Sequence, residues 1–188
     1  MFRSTDIAHT LIRQRLHPGD WAVDATLGNG HDALFLSQLV GPEGHVFGFD
    51  PQEAAHEATK SCFISHDHPL DNLTLFLAGH ETMGERLVGV ETSRIRCVMF
   101  NLGYLPGGDK QFTTATNTTL AALESATRLL PDGGLISVVV YPGHPGGAEE
   151  GQAVVSFLTN LPRPWKTYSY QCLNSKMPAP YLVMSVKG

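Results

Sequence analysis

A glycine loop near the N-terminus has residue types suited to holding a nucleoside ligand. The segment 24–32 reads DATLGNGHD and lies between a predicted strand and a predicted helix. Glycines at 28 and 30 allow the backbone to turn tightly and to approach a ligand. The start of the following helix offers free N–H groups, and Asp24 can receive a cationic amino group. The alternative is a turn that needs glycine only for its own geometry.

Asp50 is the second residue with a position suited to nucleoside binding. It lies 20 residues after Gly30, at the end of the second predicted strand. A carboxylate at this position can accept hydrogen bonds from both hydroxyls of an adenosine ribose. The pattern Gly28-x-Gly30-x-x-Ala33 also satisfies a relaxed dinucleotide-binding motif. The glycine loop therefore leaves both NAD and S-adenosylmethionine open as cofactors.

A polar and glycine-rich segment, 101–110 (NLGYLPGGDK), follows the fourth predicted strand. Ligands bind at the carboxyl ends of strands in open α/β sheets. Asn101 and the carbonyl of Leu102 can accept hydrogen bonds from a substrate amine, and Tyr104 can stack on the acceptor group. The segment resembles the Asn-Pro-Pro-Tyr element of amino-group methyltransferases, in which positioning for in-line displacement is the main demand. The alternative is a loop whose Asn and Gly serve turn geometry.

Two further segments border the same predicted edge of the sheet. Gly79 and His80 follow the third strand, where His80 can stack beside an adenine or merely belong to a helix start. Tyr141 and His144 follow the fifth strand, and His144 is a candidate substrate contact or proton acceptor, although a loop histidine is often simply solvated. The histidines and cysteines have no ligand-like spacing, so no metal site is predicted.

Helices and strands alternate along the chain and must position these residues. Hydrophobic patterning predicts helices at 5–16, 31–40, 52–63, 80–87, 114–130 and 147–160, and strands at 21–26, 45–50, 72–78, 94–101, 135–141, 165–173 and 180–188. Alternation of this kind predicts a parallel sheet with right-handed crossovers. The short link between the last two strands predicts an antiparallel pair. The expected fold is α/β and Rossmann-like, of the class I methyltransferase type: seven strands, mostly parallel, a C-terminal antiparallel hairpin, and helices on both faces.

Length and composition favour a single domain spanning 1–188. Hydrophobic residues make up 42% and charged residues 16% of the chain, which is typical of a globular protein. We find no apolar run long enough for a membrane span and no signal peptide. The odd number of widely spaced cysteines predicts reduced thiols and a cytoplasmic location. The net charge of −5 argues weakly against bulk nucleic-acid binding but leaves room for a local basic patch.

Five segments together resemble the YtqB/MnmM family of small class I methyltransferases: DATLGNGHDALFL (24–36), GHVFGFDPQ (44–52), AGHE (78–81), FNLGYLPGGDK (100–110) and YPGHPGG (141–147). The resemblance covers nearly the whole chain. It implies S-adenosylmethionine as the cofactor and methylation of the aminomethyl group on 5-aminomethyl-(2-thio)uridine at the tRNA wobble position. It also implies the tRNA anticodon stem-loop as a partner, and family likeness suggests a homodimer.

The expected site follows from the motifs and the resemblance together. The residues expected to bind the cofactor are Asp24, Thr26, Gly28, Asn29, Gly30, Asp32, Asp50, Gln52, Gly79, His80 and Asn101. Those expected to carry the reaction are Asn101, Leu102, Tyr104 and His144, with Gly103, Lys110 and Tyr141 as substrate contacts. Three alternatives remain open: a methyltransferase acting on rRNA or a small amine, an NAD-binding oxidoreductase, and a non-catalytic cofactor-binding module.

Overall fold

The computed structural model describes residues 3–103 and 114–188, which form seven strands and six α-helices. The strands are β1 (Trp21–Asp24), β2 (His45–Asp50), β3 (Leu73–Leu77), β4 (Ile95–Asn101), β5 (Leu135–Val140), β6 (Trp165–Tyr170) and β7 (Tyr181–Lys187). The helices are α1 (Ser4–Ile12), α2 (His31–Val40), α3 (Glu53–Ser65), α4 (Met83–Arg86), α5 (Thr116–Leu129) and α6 (Gly147–Thr159).

The seven strands form one sheet in the order β3-β2-β1-β4-β5-β7-β6. Strands β1 to β5 pair in parallel, whereas β7 is antiparallel to both β5 and β6. The predicted fold, including the antiparallel C-terminal pair, is therefore confirmed. The strand order reverses between β1 and β4, which places a crevice at the carboxyl ends of these two strands.

Two hydrophobic clusters cover the two faces of the sheet. Helices α1, α2 and α3 contribute to one cluster, and α4, α5 and α6 contribute to the other. Every residue of β5 is buried, as expected for a central strand covered by helices on both sides. The sheet thus presents a rigid edge from which loops project.

Most predicted boundaries lie within two residues of the observed ones, and three elements differ more. The helix predicted over 5–16 ends at Ile12, and residues 13–15 form turns before β1. The helix predicted over 80–87 is a short 3₁₀ turn (His80–Thr82) followed by the single turn of α4. The strand predicted over 165–173 ends at Tyr170, where its pairing with β7 stops at Leu182.

Within the described ranges 3–103 and 114–188, no helix is long and apolar enough to cross a bilayer. The same residues contain no group of three or more His, Cys, Asp or Glu side chains placed to hold a metal ion. All three cysteines are free thiols, with Cys62 and Cys97 buried and Cys172 exposed.

Candidate active site

A cavity of about 1130 Å³ lies at the carboxyl ends of the parallel strands. It spans the point where the strand order reverses, which is the usual ligand site of an open α/β sheet. Pockets for one drug-sized ligand measure roughly 300–1,000 Å³. The volume therefore suits a nucleoside cofactor together with part of a second ligand.

Most of the predicted site residues line this cavity. Those in the lining are Thr26, Gly28, Asn29, Asp32, Asp50, Gln52, Gly79, His80, Asn101, Leu102, Gly103, Tyr141 and His144. Asp24 and Gly30 are buried beside the cavity and are not part of its lining. Tyr104 and Lys110 lie outside the described residues.

Gly30 is required by helix packing. It has a φ of +78° immediately before α2, and a Cβ at this position would stand 2.6 Å from the Cα of Thr59 in α3. A side chain would thus force the two helices apart, in addition to straining the left-handed backbone. We infer that Gly30 shapes the loop rather than touching a ligand.

Asp50 joins the end of β2 to the glycine loop. Its Oδ2 accepts a hydrogen bond from the Gly28 amide at 3.2 Å, and its Oδ1 accepts one from the Gln52 amide at 3.0 Å and a long one from Gln52 Nε2 at 3.5 Å. Each oxygen of a carboxylate can accept two hydrogen bonds. Asp50 therefore fixes the loop while Oδ2 keeps capacity for a hydroxyl of a ligand in the cavity, and a ligand hydroxyl could replace the long bond from Gln52 Nε2.

The side chain of Asp24 is fully buried under the glycine loop, and only one of its two oxygens has a hydrogen-bond partner among the described residues. Its Oδ1 accepts a hydrogen bond from the Thr26 amide at 3.0 Å, whereas its Oδ2 has no hydrogen-bond partner among the described residues. Burial raises the pKa of Asp24 well above its usual value, and the nearby carboxylates of Asp32 and Asp50 raise it further. The folded protein therefore binds a proton on Asp24 more tightly than the unfolded chain does.

This raised pKa predicts how stability depends on pH. Proton binding favours the folded state at low pH, so the contribution of Asp24 to the free energy of unfolding falls as the pH rises above about 3.9, the value in the unfolded chain. Asp24→Asn should remove this slope and raise the free energy of unfolding at neutral pH by about 1–3 kcal/mol, since an uncompensated buried carboxylate is lost. Urea unfolding between pH 4 and 8 measures it, with exposed Asp71→Asn as control. The prediction would be contradicted if the free energy of unfolding changed with pH in the same way in the wild type and in Asp24→Asn.

His80 lines the cavity as a buried neutral imidazole. Its Nδ1 donates a hydrogen bond to the carbonyl of Ala25 at 3.1 Å, and its ring meets Phe100 edge-on. Burial lowers the pKa of His80, so the ring is uncharged at neutral pH. Its Nε2 is therefore an acceptor, and within 3–103 and 114–188 it has no hydrogen-bond partner. The stacking of His80 against an adenine stays a prediction. The structure shows in addition that Nε2 could accept a hydrogen bond from a ligand in the cavity.

Asn101 presents an unsatisfied acceptor at the end of β4. Its backbone amide donates to the Thr26 hydroxyl at 2.7 Å, and its Nδ2 donates to Asp32 Oδ2 at 3.2 Å. In the described part of the chain, its Oδ1 is buried without a hydrogen-bond partner. Leaving such an atom unpaired costs about 1–3 kcal/mol. A ligand N–H or O–H in the cavity would remove this cost.

Tyr141 stands beside Asn101 and is a phenol at neutral pH. Burial raises its pKa first of all, and the charge of Asp32 raises it further, whereas the neighbouring Asn101 side chain lowers it. His144, three residues further along the same loop, donates a hydrogen bond from Nδ1 to the carbonyl of Pro145 at 3.0 Å. The two residues close the β5 side of the cavity.

A buried carboxylate ties the flanks of segment 104–113 to the core. Gly103 and Thr114 exchange two hydrogen bonds: the Gly103 amide donates to Thr114 Oγ1 at 3.0 Å, and the Thr114 amide donates to the Gly103 carbonyl at 2.9 Å. The hydroxyls of Thr114 and Thr119 donate to the two oxygens of Glu150, which is 2% exposed. Sequence reasoning missed Glu150, because nothing local distinguishes it from its exposed neighbour Glu149.

Removing the Glu150 carboxylate should loosen the part of the cavity lining formed by Gly103 and Thr114. Glu150→Ala leaves two threonine hydroxyls without their charged acceptor, so we expect a loss of about 2–4 kcal/mol in the free energy of unfolding. We also expect weaker binding of a ligand that contacts Gly103 and little change in binding at the glycine loop. Urea unfolding and calorimetric titration measure these effects, with exposed Glu149→Ala as control. Equal stability of the two variants would show that Glu150 is not an anchor.

Helix α1 also contributes to the cavity, which the sequence analysis did not foresee. Arg3, Thr5, Asp6 and His9 line it, and Ser4 holds the loop before β7 through a hydrogen bond to the carbonyl of Pro180 at 2.8 Å. Thr5 and His9 flank the buried face of α1, which is formed by Ala8 and Ile12. The amphipathic pattern in the sequence predicts that α1 has a polar side. It does not show whether that side faces solvent or lines a cavity.

The fold and the site define the chain as a class I, S-adenosylmethionine-dependent methyltransferase, as predicted. A family model described as "Putative rRNA methylase" matches residues 46–186, and the chain belongs to this family. Membership confirms the resemblance seen in the sequence and sets aside the alternative of an NAD-binding oxidoreductase.

Three relatives align over nearly all of the chain. An Arabidopsis thaliana protein named "tRNA (mnm(5)s(2)U34)-methyltransferase, chloroplastic" is 42% identical over 193 residues, which cover 98% of this chain and 69% of that protein. A "putative rRNA-methylase" from Clostridium thermocellum is 37% identical with a TM-score of 0.92, covering 100% of this chain and 99% of that one. A "putative methyltransferase" from Streptococcus mutans, solved in complex with SAH, is 34% identical with a TM-score of 0.84, covering 98% of both chains.

Proposed function

We propose that this protein methylates the primary amine of 5-aminomethyl-(2-thio)uridine at the wobble position of tRNA, giving the 5-methylaminomethyl form. The observation that carries the proposal is the buried Oδ1 of Asn101 at the end of β4, which has no hydrogen-bond partner within 3–103 and 114–188. It is an acceptor at the floor of a cavity large enough for two ligands. The name of the Arabidopsis relative supports the choice of substrate.

The residues around the glycine loop fit S-adenosylmethionine. Asp50 keeps acceptor capacity for ribose hydroxyls, and the open Nε2 of His80 suits a donor such as the exocyclic amine of adenine. When bound, this cofactor supplies an electrophilic methyl group on a sulfonium. The carboxylate of Asp50 in the lining favours a cationic ligand in this part of the cavity.

The chain's own contribution to the reaction is to hold a neutral amine in one orientation. Asn101 Oδ1 and the backbone carbonyl of Leu102 accept its two N–H groups, so the nitrogen lone pair is left free to attack. Positive charge develops on the nitrogen as it forms its new bond, and an oriented carbonyl oxygen stabilises that charge without reorganising. Tyr104, Lys110 and Gly103 complete this side in the proposal, with His144 and Tyr141 near the RNA.

RNA binding in this proposal depends on local basic groups, because the net charge is −5. Arg3 is exposed and stands at the cavity, where it also pairs with Asp6. Arg13, Arg15, Lys166 and Lys176 are further exposed candidates. Binding through such phosphate contacts should weaken steeply as salt is raised.

A methyl-transfer assay tests the proposal. Purified protein is incubated with methyl-labelled S-adenosylmethionine and tRNA that carries the 5-aminomethyl group, beside unmodified tRNA transcript, rRNA and a small primary amine. We expect label only in the aminomethylated tRNA, and nuclease digestion should place it on the wobble nucleoside. Label in rRNA or the small amine instead would overturn the substrate assignment. No label in any acceptor, with cofactor binding intact, would favour a binding module.

Three further predictions concern the domain organisation, the cellular location and the oligomeric state. We propose that residues 1–188 act as a single domain, that the protein works in the cytoplasm, and that it forms a homodimer. The Arabidopsis relative is chloroplastic by its name, so the proposal of a cytoplasmic location does not rest on that relative. Light scattering of the purified protein with and without tRNA measures the oligomeric state.

A further inference from the structure

Three polar side chains from separate elements form a continuous chain beside the cavity. His9 of α1 bonds through Nε2 to Asp32 Oδ1 at 2.7 Å, and Asp32 Oδ2 accepts from Asn101 Nδ2 at 3.2 Å. All three residues line the cavity. The side chains of His9 and Asp32 are 25% and 10% exposed, so these hydrogen bonds are largely shielded from water. The chain ends on the buried Oδ1 of Asn101.

The chemistry of Asp32 decides which way the amide of Asn101 points. The two ends of an Asn side chain are nearly equal in shape, but one donates and the other accepts. An ionised carboxylate only accepts, so it selects the orientation with Nδ2 towards Asp32. The Oδ1 must then face away from Asp32, where a substrate N–H can reach it. In the reversed orientation an NH₂ group would meet the substrate amine donor to donor.

His9 holds Asp32 in turn. Because the carboxylate oxygen accepts, Nε2 of His9 carries the proton of this hydrogen bond. The imidazole ring lies flat on Phe35, with ring centroids 3.8 Å apart and an interplanar angle of 6°. This stacking sets the plane of the ring and so the direction of the N–H. The contact also joins α1 to the start of α2, 23 residues further along the chain.

We propose that Asp32 and His9 are positioning residues that fix the amide of Asn101 with its Oδ1 towards the methyl acceptor. The proposal rests on the proposed function, since it assigns Oδ1 to the substrate amine. It gives Asp32 a different role from the expected cofactor contact, because the hydrogen bonds that its two oxygens accept come from His9 and from Asn101.

Asp32→Asn tests the first link. An asparagine at 32 can donate or accept, so it no longer selects one orientation of Asn101. We expect kcat for aminomethylated tRNA to fall on the order of 10- to 100-fold, the scale of a misplaced reactive group. The dissociation constant for S-adenosylhomocysteine, measured by calorimetry, should stay within about threefold. A large loss of cofactor affinity with unchanged kcat would make Asp32 a cofactor ligand and overturn the proposal.

The second link is tested at His9 by a pair of variants. His9→Ala removes the donor, whereas His9→Gln keeps an N–H near the position of Nε2. We expect a loss of several-fold in kcat for the alanine variant and substantial recovery for the glutamine variant. Exposed His17→Ala is the matched control and should behave as the wild type. Equal loss in the alanine and glutamine variants would overturn the role of the hydrogen bond. These variants also decide the matter if Asp32→Asn fails to fold.

A spectroscopic measurement separates this proposal from the proposed function. The side-chain amide of Asn101, identified in ¹H–¹⁵N spectra by its absence in Asn101→Asp, should exchange its protons slowly in the wild type. We expect faster exchange in Asp32→Asn and His9→Ala, but not in His17→Ala. Unchanged exchange would overturn the positioning role whether or not tRNA is methylated. A wild type that shows the protected amide but labels no amine would instead overturn the proposed function, and the assignment of Oδ1 to the amine with it.

Discussion

Asn101→Ala is expected to lower kcat for aminomethylated tRNA by about 10²- to 10³-fold, which is the usual cost of removing one oriented group that stabilises developing charge. The variant removes the buried Oδ1 that, in our proposal, accepts an N–H of the substrate amine. The position of this oxygen costs stability in the empty protein, because it has no partner among the described residues. The loss should therefore fall on the chemical step rather than on folding.

Single-turnover kinetics with saturating cofactor and tRNA measures this effect directly. Affinity for S-adenosylhomocysteine, measured by calorimetry, should change by less than about threefold. Asn117→Ala is a suitable control, since Asn117 is exposed on α5 and is not part of the cavity lining. A variant that keeps wild-type kcat would show that the acceptor amine is held elsewhere. If the variant instead lost affinity for S-adenosylhomocysteine, Asn101 would be a contact of the cofactor and not of the acceptor amine.

Asp50→Ala is expected to weaken S-adenosylhomocysteine binding by about 100-fold or more. Hydrogen bonds to a charged group contribute about 1.5–3 kcal/mol each, and a ribose offers two hydroxyls to this carboxylate. The variant also leaves the amides of Gly28 and Gln52 without the oxygens that now accept from them. Without these hydrogen bonds the glycine loop is no longer held against the end of β2. Part of the loss in affinity therefore comes from a binding site that is less well ordered before the ligand binds.

Isothermal titration with S-adenosylmethionine, S-adenosylhomocysteine and NAD measures the change, and the rise in Tm on adding ligand gives a second reading. Glu53→Ala is the matched control, because Glu53 is an exposed acid at the start of α3 and lies outside the cavity lining. Unchanged affinity in Asp50→Ala would contradict the ribose assignment. Together with Asn101→Ala, the variant separates loss of cofactor binding from loss of chemistry.

The positions of strands and helices could be predicted closely from the sequence. Helix α2 and strand β2 have the predicted bounds, 31–40 and 45–50. The glycines at 28 and 30 marked the turn before α2, and both adopt positive φ angles. These features are encoded locally, because hydrophobic period and turn chemistry depend on neighbouring residues. The same reasoning placed Asp50 and Asn101 at strand ends, and parallel strands bring their carboxyl ends to one edge.

The roles of individual carboxylates depended on contacts between distant parts of the chain. Asp24 is predicted from the sequence to contact the cofactor, and in the structure it is fully buried below the loop, with one oxygen that has no hydrogen-bond partner in the described part of the chain. Asp32 meets His9 and Asn101, which are 23 and 69 residues away, and Glu150 meets Thr114 at a separation of 36. Local patterning predicts which residues reach the sheet edge. Only the packing of α1, α2 and α6 against that edge decides which of them are buried, which are paired, and which acceptor is left open for a ligand.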